Sequence, residues 1–142
     1  MTTHDSIETM AEAEKLALSL KGGEVIALHG DLGGGKTTFT KGLAEALHVA
    51  DNITSPTFVM LKNYPAKIDN RMITFVHIDA YRSDSVEDIK LVGIEDFLNR
   101  DDVIMVVEWA EKIQEILPKN TININFKFIN ENTREIEYDF NN

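Results

Sequence analysis

The segment Gly30-Asp31-Leu32-Gly33-Gly34-Gly35-Lys36-Thr37 spells G-x-x-x-x-G-K-T, a spacing built to hold the phosphates of a nucleoside triphosphate. Four glycines within positions 30–35 let the backbone wrap closely around an anion, because glycine accepts positive φ and puts no side chain in the way. The N–H groups of such a loop and the positive end of the helix that follows then face the phosphates. Lys36 is expected to reach the β and γ oxygens as a point charge, and the Thr37 hydroxyl to hold Mg²⁺. Asp31, Leu32, Gly33, Gly34, Gly35, Lys36, Thr37 and Thr38 are therefore placed against the nucleotide. A glycine-rich turn that merely joined a strand to a helix would have no use for a Lys-Thr pair at that offset.

The flanking residues supply the elements such a loop needs. Val25-Ile26-Ala27-Leu28-His29 reads as a buried strand, and Phe39, Leu43, Ala46 and Leu47 recur at helical spacing after the loop. Before it, residues 5–21 predict an amphipathic helix capped by Asp5 or Ser6 and ended by Gly22-Gly23, with Ile7, Met10, Ala11, Leu16, Ala17 and Leu20 on its apolar face. A strand is expected over 57–64 and a loop from Pro65 to Arg71. Two further apolar runs, 72–78 and 103–107, end in Asp79 and Glu108, with short helical pieces from Ser85 and over 91–98 between them. Alternation over 121–129 puts Ile122, Ile124, Phe126 and Phe128 on one face and Asn123, Asn125 and Lys127 on the other. Ile136, Tyr138 and Phe140 repeat that rhythm after Asn130-Glu131-Asn132, which predicts an antiparallel hairpin. The fold class is α/β: one P-loop NTPase-like domain over 1–142, with a largely parallel central sheet flanked by helices and a C-terminal antiparallel hairpin.

In such sheets the ligand sits beyond the carboxyl ends of the strands, where Gly30, Asp79 and Glu108 all fall. A phosphate-loop enzyme needs a second acidic group there to anchor Mg²⁺, directly or through water. Asp79 and Glu108 are the two candidates; one would serve the metal shell and the other the attacking water, and the spacing does not rank them. His77 stands two residues before Asp79 and is open to a core role or a site role. Trp109 is open to walling the nucleotide or to packing beside the sheet.

Composition narrows the rest. The chain has 142 residues, no cysteine and a formal net charge of −10. Without cysteine there is no disulfide, thiolate metal site or thiol nucleophile. A chain this acidic is not expected to grip a nucleic-acid backbone tightly by itself, because phosphate contact is a cationic affair. No apolar run reaches the roughly 18 residues of a membrane span, and the N-terminus lacks the basic and apolar segments of a secretory signal. A cytoplasmic location is the expectation.

Several strings in order carry a resemblance: Gly30–Phe39 with its G-K-T-T-F ending, Thr54-Ser55-Pro56-Thr57-Phe58, His77-Ile78-Asp79-Ala80-Tyr81-Arg82, and Val106-Val107-Glu108-Trp109. Together they resemble the TsaE family of small bacterial ATPases in tRNA threonylcarbamoyladenosine synthesis, over about residues 5–117. The resemblance implies ATP or ADP with Mg²⁺ as ligand, weak ATP hydrolysis alone, and work with TsaD and TsaB on tRNA. It also implies roles: Lys36 on phosphate, Thr37 and Glu108 on Mg²⁺, and Asp79 as a catalytic group orienting or activating water. Ser55 and Thr57 would lie in a switch-like loop, Trp109 beside the nucleotide, and Tyr81 and Arg82 near the site or a partner. Two positions depart from the family pattern: Ala110 stands where proline is frequent, and Ser83 where an apolar residue is usual. Two other functions share the loop, a small kinase acting on a small-molecule acceptor and a nucleotide-gated binding module. No N-K-x-D string is present to read guanine.

Overall fold

The computed structural model describes residues 1–30, 35–53, 61–81, 83, 85–91 and 93–140. The loop residues Asp31, Leu32, Gly33 and Gly34, the switch-like Ser55 and Thr57, and Arg82 lie outside the described residues. Within them one sheet runs in the order β1-β7-β6-β2-β5-β4-β3. Its strands are β1 (Thr2–Thr3), β2 (Val25–Gly30), β3 (Leu61–Ile68), β4 (Arg71–Asp79), β5 (Val103–Glu108), β6 (Ile122–Phe128) and β7 (Arg134–Phe140). The four inner strands β6, β2, β5 and β4 are mutually parallel, as expected. The outer pairs are antiparallel, among them the anticipated C-terminal hairpin β6–β7.

Strand chemistry follows position in the sheet. Every residue of β5 is buried, because β5 has parallel neighbours on both sides and cover on both faces. On one face helices α1 (Ser6–Ala17) and α2 (Lys36–Ala46) bring Ala13, Leu16, Phe39 and Leu43 against Ile26, Phe75, Ile104 and Ile124. On the other, a short helix α3 (Val86–Leu91) and single 3₁₀ turns cover Val76, Ile78, Met105 and Val107 with Ile89, Ile94, Ala110 and Ile113.

α1 is capped as the sequence suggests: the Glu8 N–H donates to Asp5 Oδ1 at 2.7 Å, a contact of about 1 kcal/mol. Its buried stripe differs from expectation. Thr9, Ala13 and Leu16 point inward, while Ile7 is 76% exposed and the helix stops at Ala17, short of residue 21. The reason is close helix crossing. A Cβ built on Gly42 of α2 would lie 2.8 Å from the Ala13 Cβ and 2.9 Å from the Met10 Cα, so small residues are selected over bulky ones at the crossing. Gly42→Val should therefore remove roughly 1–3 kcal/mol of stability by overpacking, seen as a Tm lowered by several degrees in a thermal melt.

The expected loop from Pro65 to Arg71 is instead the second half of a strand and a tight hairpin. β3 pairs with β4 from Leu61↔Ile78 to Ile68↔Arg71 around Asp69-Asn70, with Asp69 at φ 54°. Proline is tolerated here because β3 is an edge strand, where a missing N–H need not break a ladder. Tyr64 and Ala66 still alternate inward. The face assignment for β6 also shifts: Asn123 is buried and Phe128 is 43% exposed, since the beginning of the strand is covered on both faces and its end projects beyond the core.

Candidate functional site

The parallel register brings the C-terminal ends of β2, β5 and β4 side by side, with Leu28 opposite Glu108 and Glu108 opposite Asp79. Glu108 thus ends the strand adjacent to the loop strand, and Asp79 ends the next one out. Strand order separates two carboxylates that spacing along the chain leaves equivalent. Gly30, the last residue of β2, sits at φ 124°, and a Cβ there would fall 2.0 Å from the Phe126 carbonyl oxygen. Glycine is thus required at this position for the approach of β6 as well as for the loop.

α2 begins after Gly35, which has φ 100° and no side chain to cap the first turn. The end of such a helix presents N–H donors and a partial positive charge, the features that receive phosphate. Lys36 is 5% exposed and folds back over the site. Its ammonium donates to the Gly30 carbonyl at 2.9 Å and lies 4.1 Å from the centre of the Trp109 ring. The Thr37 hydroxyl donates to Glu108 Oε1 at 2.8 Å. The other carboxylate oxygen, Oε2, lies 2.5 Å from Nε2 of the fully buried His77. Lys36, Thr37, Glu108, Asp79 and Trp109 thus come together beyond the C-terminal ends of β2, β5 and β4. Thr38, at the helix start, instead borders a neighbouring cavity of about 300 Å³ shared with Gly35, Asp5, Ser6, Asn132 and Arg134.

Asp79 is half-buried, and its Oδ1 accepts the Tyr81 N–H at 2.9 Å. Burial pushes its carboxyl above the usual carboxylate range and the nearby Glu108 charge adds to that, against the Tyr81 N–H, His77 and Lys36, which pull it down. A carboxylate made more basic in this way is a better proton acceptor. The Ala80 N–H donates to the Glu108 carbonyl at 3.0 Å, tying the two acidic strand ends together just past the ladder.

Trp109 leaves β5 in the left-handed region, φ 57°, uncommon for a bulky residue. That turn lays its ring between Lys36 and Tyr81, whose ring centre is 4.9 Å away. The cation–π contact to Lys36 is of order 0.5–2 kcal/mol. Trp109 is followed by a 3₁₀ turn, Ala110–Lys112, whose first residue is the fully buried Ala110. A first helical position has no use for its N–H within the turn, so this residue needs no donor. Ser83, the other departure, is buried with its hydroxyl donating to the Ser85 carbonyl at 2.9 Å.

Three residues make contacts that local spacing does not record. His77 is neither plain core nor a bystander, because its ring meets Glu108; the signal was its place two residues before Asp79, on the same face of a strand. His29 bridges Glu111 (Nδ1, 3.1 Å) and Asn123 (Nε2, 2.8 Å), partners 82 and 94 residues away that no local pattern links to it. Lys112 donates to the Tyr81 carbonyl and lies 5.4 Å from the Tyr81 ring centre, bracing the aromatic pair from outside.

A phosphate-loop motif between β2 and α2, with Thr37 joined to the acidic end of the next parallel strand, defines a P-loop NTPase-like α/β protein. Comparison with known proteins narrows the class. The family profile "Threonylcarbamoyl adenosine biosynthesis protein TsaE" matches residues 3–136, and the chain belongs to the TsaE family. A Bacillus subtilis protein named as tRNA threonylcarbamoyladenosine biosynthesis protein TsaE is 39% identical over 132 residues, 92% of this chain and 78% of the relative. A Treponema pallidum protein of the same name is 38% identical over 117 residues, 82% of each chain. The crystal structure of Bacillus subtilis YdiB superposes with a TM-score of 0.77 at 34% identity, covering 100% of this chain and 84% of that one. Among the described residues no helix is long and apolar enough to cross a membrane.

Proposed function

We infer that this chain binds ATP or ADP with Mg²⁺, hydrolyses ATP slowly, and couples that hydrolysis to TsaB and TsaD in threonylcarbamoyladenosine modification of tRNA. The observation that carries the nucleotide reading is the Thr37–Glu108 contact of 2.8 Å directly after a Gly-Lys step on a loop-to-helix junction. The names of the relatives support the pathway.

The donor set suits a hard divalent cation. Thr37 and Glu108 offer oxygen atoms at adjacent positions, and Mg²⁺ is typically held by one or two such protein oxygens together with phosphate and water. Bound there, Mg²⁺ would neutralise charge developing on the phosphate oxygens. Lys36 would move from the Gly30 carbonyl onto the β and γ oxygens, exchanging a neutral acceptor for a charged one. Asp79, at the end of the next strand and with a raised proton affinity, would orient and accept a proton from the attacking water. The 300 Å³ cavity beside Gly35 and Thr38 leaves room for the nucleoside end. Trp109, paired with Tyr81, would lie beside the nucleotide next to Lys36. Ser55 and Thr57 belong to the reading as a switch-like segment sensing the terminal phosphate.

Hydrolysis that drives a partner's conformation requires no acceptor pocket, only a surface that changes with the nucleotide. ATP turnover by the purified chain should accordingly be low alone and rise at least several-fold when TsaB, TsaD and tRNA are added. Turnover indifferent to that mixture would sink the coupling, and rapid turnover dependent on a small hydroxylated acceptor would indicate a kinase instead.

A further inference from the structure

We propose that His77 is a positioning residue that sets the Glu108 carboxylate for a divalent cation, a role resting on the Thr37–Glu108 reading above. His77 is 0% exposed, in β4, and reaches across to β5, where Nε2 meets Glu108 Oε2 at 2.5 Å. Its other ring nitrogen, Nδ1, is the buried side-chain nitrogen or oxygen without a hydrogen-bond partner among the described residues. A proton on Nδ1 would be a buried donor left unmet, whereas an unmet acceptor is the lesser penalty, so the ring proton belongs on Nε2. Nε2–H then donates to Glu108 Oε2 while the Thr37 hydroxyl donates to Oε1. Both carboxylate oxygens are held by donors on two different elements, and the group cannot turn about its terminal bond without losing both.

The consequence is directional. With Oε2 committed to His77, Oε1 is the oxygen left on the Thr37 side, where the cation would lie. Hydrogen-bonding an acidic ligand from behind is how proteins aim it, and loss of such an outer contact typically weakens a metal roughly 10- to 100-fold. A purely architectural histidine could have been an apolar residue, as its neighbours Val76 and Ile78 on the opposite face are. Placing a ring here whose one satisfied nitrogen meets the acid instead ties β4 to the site.

The test compares His77→Leu, which keeps bulk and removes the donor, with His77→Gln, whose amide nitrogen can stand where Nε2 stands. ADP affinity is measured by calorimetry in EDTA and across a Mg²⁺ titration, and followed independently by fluorescence of Trp109, the single tryptophan. The expected result is that H77L binds ADP in EDTA as wild type does but needs roughly 10-fold more Mg²⁺ for half-maximal enhancement. H77Q should lie within about threefold of wild type. Should H77L not fold, His77→Asn, whose shorter side chain withdraws its amide from Glu108, takes its place in the same comparison. The proposal is overturned by an unchanged Mg²⁺ requirement, by an equal loss of affinity with and without Mg²⁺, or by H77Q behaving as H77L. Wild-type protein whose ADP affinity ignores Mg²⁺ would overturn the parent reading, and this one with it, which separates the two failures.

Discussion

Lys36→Ala should lower ATP and ADP affinity about 100-fold in calorimetry and bring turnover to background. A hydrogen bond to a charged group contributes about 1.5–3 kcal/mol, and each 1.4 kcal/mol is tenfold in binding. The upper part of that range applies because Lys36 is 95% sequestered from water and needs little ordering to reach the loop. Part of the effect is packing, since the Lys36 side chain is buried. Lys36→Met separates the two contributions: it retains the stem and removes the charge, and should lose affinity nearly as severely while melting close to wild type. Affinity and turnover unchanged in Lys36→Ala would remove the phosphate reading of the loop.

The two acidic residues should fail differently. Glu108→Gln is expected to abolish most of the Mg²⁺-dependent gain in nucleotide affinity, because it withdraws the charge beside Thr37 while keeping the shape that packs on His77. Asp79→Asn should leave Mg²⁺-nucleotide affinity within a few-fold of wild type and reduce turnover about 10²- to 10⁴-fold, the usual contribution of a positioned proton acceptor. The measurements are a Mg²⁺ titration of ADP binding and single-turnover ATP hydrolysis on both variants. Identical defects in the two would refute the division of labour that strand order suggests: Glu108 next to the loop strand, Asp79 one strand farther out.

These assignments differ in how far the chain alone supports them. Local chemistry was readable. The loop glycines, Lys36 and Thr37 lie within one short run of the chain, so their spacing carries the motif. The Asp5 cap likewise depends on a neighbour three residues away. The apolar runs ending in Asp79 and Glu108 announced parallel strands, since such strands are buried on both faces and read as continuous.

Elements whose limits depend on distant packing depart from the local pattern. Pro65 argued for a loop, yet an edge position forgives proline, and whether a strand lies at the edge is a property of the whole sheet. Ile7 and Ala11 fit a helical face that the crossing with Gly42 rotated away, in favour of Thr9 and Ala13. Asn123 sat on the expected wet face until His29, 94 residues earlier, supplied its partner.

By itself the sequence determined where a phosphate-loop motif lies, because that motif is a run of consecutive residues, Gly30 to Thr37. It determined an α/β sheet with a C-terminal hairpin for the same reason: periodicity is local. Only the tertiary structure decided the contacts themselves: Thr37 on Glu108, His77 on the other oxygen of that acid, and the Lys36 ammonium against Trp109. Those are relations between strands brought together by sheet order and register, and strand neighbours are chosen by the burial of the whole sheet, which no local spacing records.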